Sequence, residues 1–77
     1  MSPRLPRVTA AGAAKTLERV GSRLARQSGS HRVYRNEAGL RVTLPYHGNR
    51  ILLPKILKSI LQDAKLTMEE FDRLRSD

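Results

Sequence analysis

The stretch RLARQSGSHRVYRNEAGLRVTLP, residues 23–45, decides the fold. Three short segments, Arg23 to Gln27, His31 to Arg35 and Leu40 to Pro45, are separated by Ser28-Gly29 and by Asn36-Glu37-Ala38-Gly39. Both gaps hold residues that turn a chain: glycine tolerates positive φ, and asparagine and serine bond their own backbone. In the third segment Leu40, Val42 and Leu44 alternate with Arg41 and Thr43. That is the period of a strand with one buried face. Pro45, with no N–H to offer, stops the pairing, and Tyr46-His47-Gly48-Asn49-Arg50 follows as a loop.

Helices flank these strands. Thr9 is placed to cap a helix from Ala10 to Val20, with Leu17 and Val20 on one side and Gly21 free to take the left-handed stop. Its apolar face is mostly alanine, which packs closely but buries little area, and Gly12 costs about 1 kcal/mol against alanine. Pro54 suits the first turn of a second helix whose apolar stripe is Ile56, Leu57, Ile60, Leu61 and Ala64. Thr67 with Glu70 makes a capping box, and Leu66 with Phe71 a hydrophobic staple, so a short third helix begins at Met68. Strands clustered between helices predict an α+β fold, α-β-β-β-α plus a short C-terminal helix. The three-stranded antiparallel sheet should carry its helices on one face.

A chain of 77 residues buries only about 60% of the surface it exposes when unfolded, which allows one small domain and excludes a large enzyme. Residues 1–77 are read as that single domain, with residues 1–8 as a basic N-terminal arm. Leu, Ile, Val and Phe number 19, about a quarter of the chain, enough to support a core. Cysteine is absent, so disulfides, thiolate zinc sites and thiol nucleophiles are absent too. No apolar run approaches the roughly 20 residues needed to span a bilayer, and the expectation is a soluble, cytoplasmic protein without a membrane partner.

Charge gives the first functional clue. Fifteen Lys and Arg against seven Asp and Glu give a net charge of +8. Residues 1–35 hold eight of the bases and one acid. Eleven of the fifteen bases are arginine, whose planar fork pairs with two phosphate oxygens at once. A polyanion, nucleic acid first, is the implied partner, with an acidic protein as the alternative.

His31 and His47 are the side chains whose ordinary titration suits proton transfer near neutral pH. His31 opens the second strand among Arg26, Arg32 and Arg35, a setting in which a phosphodiester could be held and attacked; a structural strand histidine is the alternative. His47, beside Tyr46 in the loop, fits catalysis, RNA contact or simple exposure. Two histidines 16 positions apart with no nearby carboxylate match no metal-ligand spacing, and neither Ser28 nor Ser30 sits in a nucleophile elbow. No phosphate-cradling glycine loop is present, and neither a metal nor a small-molecule cofactor is expected.

The block RQSGSHRVYR, residues 26–35, with PYHG at residues 45–48, strongly resembles the HicA (YcfA-like) toxins of bacterial toxin–antitoxin systems. PRLPRVTA, LERVGSRLARQSGSH and LKSILQDAKLTMEEF extend the likeness over nearly the whole chain. The resemblance implies a fold like the double-stranded RNA-binding domain, and an endoribonuclease that cleaves mRNA and is silenced by a HicB-type antitoxin. It puts the catalytic histidine at His31 and the turn glycine at Gly29. Two departures stand out: Ser22 occupies a position usually aromatic in the family, which costs core area, and Lys65 one usually glycine, at a left-handed position.

Residues and resemblance together suggest a metal-free ribonuclease in which the RNA 2′-OH attacks. His31 would carry the main acid-base role, and Arg26, Arg32 or Arg35 the electrostatic clamp. Gly29, Ser30, Tyr34 and His47 complete the expected RNA contacts, with Tyr34 or His47 as a second proton carrier. His31, Val33 and Arg35 share a strand face. If Val33 enters the core, His31 points to the helix-covered side and must sit at its rim. The competing reading is a non-catalytic RNA-binding module of the same fold, and a third is a basic protein acting through a protein partner alone.

Overall fold

The computed structural model describes residues 7–47 and 50–76. The expected arm therefore lies largely outside the described residues, as do Gly48 and Asn49 of the loop after the third strand.

Helix α1 spans Ala10–Arg19. Thr9, in extended backbone, accepts the Gly12 N–H on its side-chain oxygen at 3.0 Å, as the sequence predicts for an N-cap. A Cβ on Gly12 would lie 3.3 Å from that oxygen, so the glycine leaves room for the cap. The helix closes when Gly21 takes a φ of +89°. The Ser22 N–H then reaches Leu17 O and the Gly21 N–H reaches Glu18 O, the paired bonds of a Schellman stop. Ala10, Ala13, Ala14 and Leu17 are buried, which is the close alanine packing the sequence implied.

Strands β1 (Arg23–Ser28), β2 (His31–Arg35) and β3 (Arg41–Pro45) form an antiparallel meander in that order. Gly29-Ser30 joins the first pair, with positive φ at Gly29 alone, as two-residue hairpins with glycine in the first central position have. Asn36 Oδ1 accepts the Leu40 N–H at 2.9 Å and organises the second turn. β2 and β3 pair without interruption, Arg35 opposite Arg41 and His31 opposite Pro45. β1 carries an irregularity at Ala25: Arg26 faces Val33, but Leu24, not Ala25, faces Tyr34. This is a bulge with one extra residue in β1.

Helix α2 spans Pro54–Ala64, with proline in its first turn, and α3 spans Met68–Ser76. Lys65 ends α2 in the left-handed region at φ 57°, ψ 41°. The capping box at α3 is formed: the Thr67 N–H donates to Glu70 Oε1 at 2.9 Å and the Glu70 N–H to Thr67 Oγ1 at 3.1 Å. The helices lie on one sheet face, α2 and α1 against β3, and α3 against α1. Arg19 also donates from its guanidinium to the Leu74 carbonyl of α3.

The core joins Val8, Ala13, Ala14 and Leu17 to Tyr34, Val42 and Leu44 of the sheet, Leu57, Ile60 and Leu61 of α2, and Phe71 of α3. Ser22, expected to cost core area, is itself buried. All six residues of β1 are exposed, so this strand extends past the helical layer as a basic edge.

Candidate nucleic-acid interface on the open sheet face

Side chains alternate across a strand, and directly paired residues share a face. Tyr34, Val42 and Leu44 are buried under the helices, so Arg32 and Tyr34 of β2 point to the helical side. His31, Val33 and Arg35 point the other way. The condition considered above is therefore not met: Tyr34 enters the core in place of Val33, and His31 faces the open side.

Three transverse rows cover the open face, and each can be read from the pairing. Ser28, His31 and Pro45 form the first, Arg26, Val33 and Thr43 the second, and Arg23, Arg35 and Arg41 the third. His31 and all four arginines are exposed. No carboxylate stands in any row. His31 is therefore an accessible acid-base group on a face with four positive charges. Gly29 and Ser30, in the hairpin turn, border its row.

The three arginines expected around His31 separate. Arg26 lies diagonally across the β1–β2 pair from His31, about 7–8 Å away by sheet geometry, within reach of a phosphate held at the histidine. Arg35 is four residues along β2, about 13 Å away at a strand's rise, too far for the same phosphate. Arg32 corrects the expectation outright. It lies on the helical side with its guanidinium 3.6 Å from the centre of the Tyr46 ring, a cation–π contact that pins the start of the loop. Tyr34 is a second correction: it is 1% exposed, among the largest buried side chains of the core, and has no surface to offer RNA or a substrate proton.

His47 is exposed two residues beyond Pro45, so the chain brings it to the His31 end of the sheet. It borders a groove of about 270 Å³ with Ala10, Pro45, Arg50, Ile51, Leu52, Leu53 and Ile56. The groove's rim is tied to the base of α1, because Leu52 donates its N–H to Val8 O at 2.8 Å and Ile51 bridges Thr9. Among the described residues no three of His, Cys, Asp or Glu gather as metal ligands, and no helix is long and apolar enough to cross a membrane.

Arg23 and Arg41 were not among the residues singled out from the sequence. For Arg41 the turn length held the signal, since a turn over Asn36–Leu40 sets it opposite Arg35; Arg23 comes into line only through the bulge at Ala25.

The fold and the site define a class of small α+β domain, one sheet face buried under helices and the other left open, basic and carrying a histidine. Within that class, residues 13–66 match the family model described as the HicA toxin of bacterial toxin–antitoxin systems. The match covers more than half of the chain, and the protein belongs to the HicA toxin family. It is the toxin of a toxin–antitoxin pair and has a cognate antitoxin as partner. No curated protein matches the chain. The matched segment contains the whole sheet and α2, whereas α3 follows it.

Proposed function

We propose that residues 1–77 form a single toxin domain acting in the cytoplasm as a metal-independent endoribonuclease of mRNA, with a HicB-type protein as its antitoxin. The observation that carries this reading is the placement of His31, exposed on a sheet face with four arginines and no carboxylate. RNA brings its own nucleophile, the 2′-OH beside the scissile phosphate. The protein has to take a proton from that hydroxyl, return one to the departing 5′-oxygen and steady the charge of the phosphorane. His31 supplies the proton transfers and Arg26 the nearest fixed positive charge, while Gly29 and Ser30 border the approach. His47 stands at the same end of the sheet as a second proton carrier. The family membership supports the toxin role.

His31→Ala tests the reading. The side chain is exposed at a strand start, so the variant should fold as the parent does. RNA cleavage should fall about 10²–10⁴-fold, the usual share of general acid–base catalysis. The parent should cut in excess EDTA and leave 2′,3′-cyclic phosphate ends. Parent-like cleavage by the variant, or 3′-hydroxyl ends made only with magnesium, would refute the assignment. An intact variant that binds RNA as the parent does, when the parent never cleaves, would establish the binding-module reading instead.

A further inference from the structure

Arg23, Arg35 and Arg41 stand directly opposite one another on three adjacent strands. Strands in a sheet are about 4.8 Å apart, so three like charges are lined up over about 10 Å. Directly opposed like charges destabilise a sheet. None of the three guanidinium groups has an ion-pair or hydrogen-bond partner among the described residues. Glu18 and Glu37 line a neighbouring groove with Arg23 and Arg35, yet neither makes an ion pair with them. The fold thus lines up three like charges on an exposed surface without a direct ion pair to any of them, a local conflict of the kind that marks functional positions.

The row also depends on the bulge. Gly29-Ser30 sets Ser28 opposite His31, and uninterrupted pairing from there would bring Leu24 opposite Arg35. The extra residue at Ala25 shifts the register, turns Leu24 to the side of Tyr34 and brings Arg23 into line. An irregularity in the strand therefore completes the arginine row.

We propose that Arg23, Arg35 and Arg41 form a second phosphate-binding subsite. It grips the backbone of the same RNA strand at a nucleotide removed from the one at His31. The proposal rests on the ribonuclease reading for the identity of the polyanion. The separation of about 13 Å between Arg35 and His31 exceeds the reach of a single phosphate. A substrate must therefore be long enough to present more than one phosphate across the face, from one row to the other. Contacts of this kind position the strand and carry no base preference.

The test compares the parent with a triple variant, Arg23→Gln, Arg35→Gln and Arg41→Gln. A control of equal net charge is Lys55→Gln, Lys58→Gln and Arg73→Gln, all exposed on α2 and α3. The probes are 2′-fluoro oligouridylates, which cannot be cut, as a dinucleotide, a tetranucleotide and an octanucleotide. The parent should gain affinity with length. The row variant should lose about tenfold or more on the octanucleotide and little on the dinucleotide. Its log–log salt slope should drop by about 0.7 for each phosphate let go. It should also melt a few degrees higher, since the repulsion is gone.

An unchanged length dependence, or an equal loss in the control, overturns the subsite. So does a row variant that loses affinity only for the antitoxin, which would make the row a protein-docking surface. A row variant with parent-like length dependence, in a protein whose cleavage His31→Ala abolishes, defeats the subsite alone. Length-dependent binding that the row variant loses, in a protein that never cleaves, defeats the ribonuclease reading and leaves the subsite standing.

Discussion

Replacing Lys65 by glycine should stabilise the protein and leave its RNA-facing surface untouched. Lys65 ends α2 at φ 57°, ψ 41°, the one non-glycine residue with positive φ among those described. The Leu66 N–H bonds Leu61 O at 3.0 Å and the Lys65 N–H bonds Gln62 O at 3.2 Å, a Schellman closure built on a side-chain-bearing residue. Left-handed backbone costs an L-residue about 1–2 kcal/mol. Glycine removes that cost but has more freedom to lose on folding, about 0.4–1 kcal/mol. The lysine charge near the helix C-terminus contributes about 0.3 kcal/mol at an exposed site, which the variant gives up. The net is about +0.5 kcal/mol, or a rise in Tm of about 2–4 °C for a chain of this size. Lys65→Ala loses the same charge and keeps the strain, so glycine should exceed alanine by about 1 kcal/mol, with Lys65→Asn between them. Urea titrations followed by circular dichroism would measure the series, with the m-value constant across it. If glycine proves no more stable than alanine, the left-handed geometry at Lys65 is not what the fold imposes, and the reasoning fails.

Two further outcomes follow from the geometry. Arg26→Gln should slow cleavage and lower the salt dependence of RNA binding, whereas Arg32→Gln, which removes the contact over Tyr46, should cost stability and leave the salt slope as it was; matching slopes in the two variants would contradict the assignment of the two arginines to opposite faces. The bonds Glu70 accepts from the Thr67 backbone and hydroxyl hold its carboxyl below its ordinary value of 4.5. A lowered folded-state pKa contributes stability that is complete above the unfolded value and is lost as pH falls through the folded one. Thermal melts from neutral to acid pH should therefore show the gap between the parent and Glu70→Gln closing below about 4.5; a gap that stays constant with pH would show that the ionised carboxylate is not what the capping box uses.

The elements were legible because each is announced locally. Thr9 and Gly21 bracket α1, Pro54 opens α2, Thr67 and Glu70 open α3, and turn residues separate the strands; each works through bonds within a few residues of itself. The candidate site was legible in its residue types and not in its arrangement, because β2 places Val33 and Tyr34 side by side. Either can be taken as the buried one, and choosing wrongly reverses every side chain in the strand. The choice is settled outside β2: Val42 and Leu44 must be buried, the turn before Arg41 sets Tyr34 opposite Val42, and so Tyr34 goes in while His31 comes out. Once that is fixed, the cluster of Arg26, Arg32 and Arg35 divides into a neighbour of His31, a residue on the far face and a member of a distant row. Even correct counting from both turns would have missed Arg23. The bulge at Ala25 lies in the run Arg-Leu-Ala-Arg-Gln, which has no glycine to betray it. Regular pairing would leave Leu24 on the open face beside Arg35. The bulge moves that leucine to the helical side, where it is still 45% exposed because the helices do not reach β1. Little burial is gained by the move, so hydrophobic packing at Leu24 is a weak reason for the irregularity. What it does achieve is a third arginine in line with Arg35 and Arg41, which links the least predictable feature of the backbone to the charge pattern of the open face.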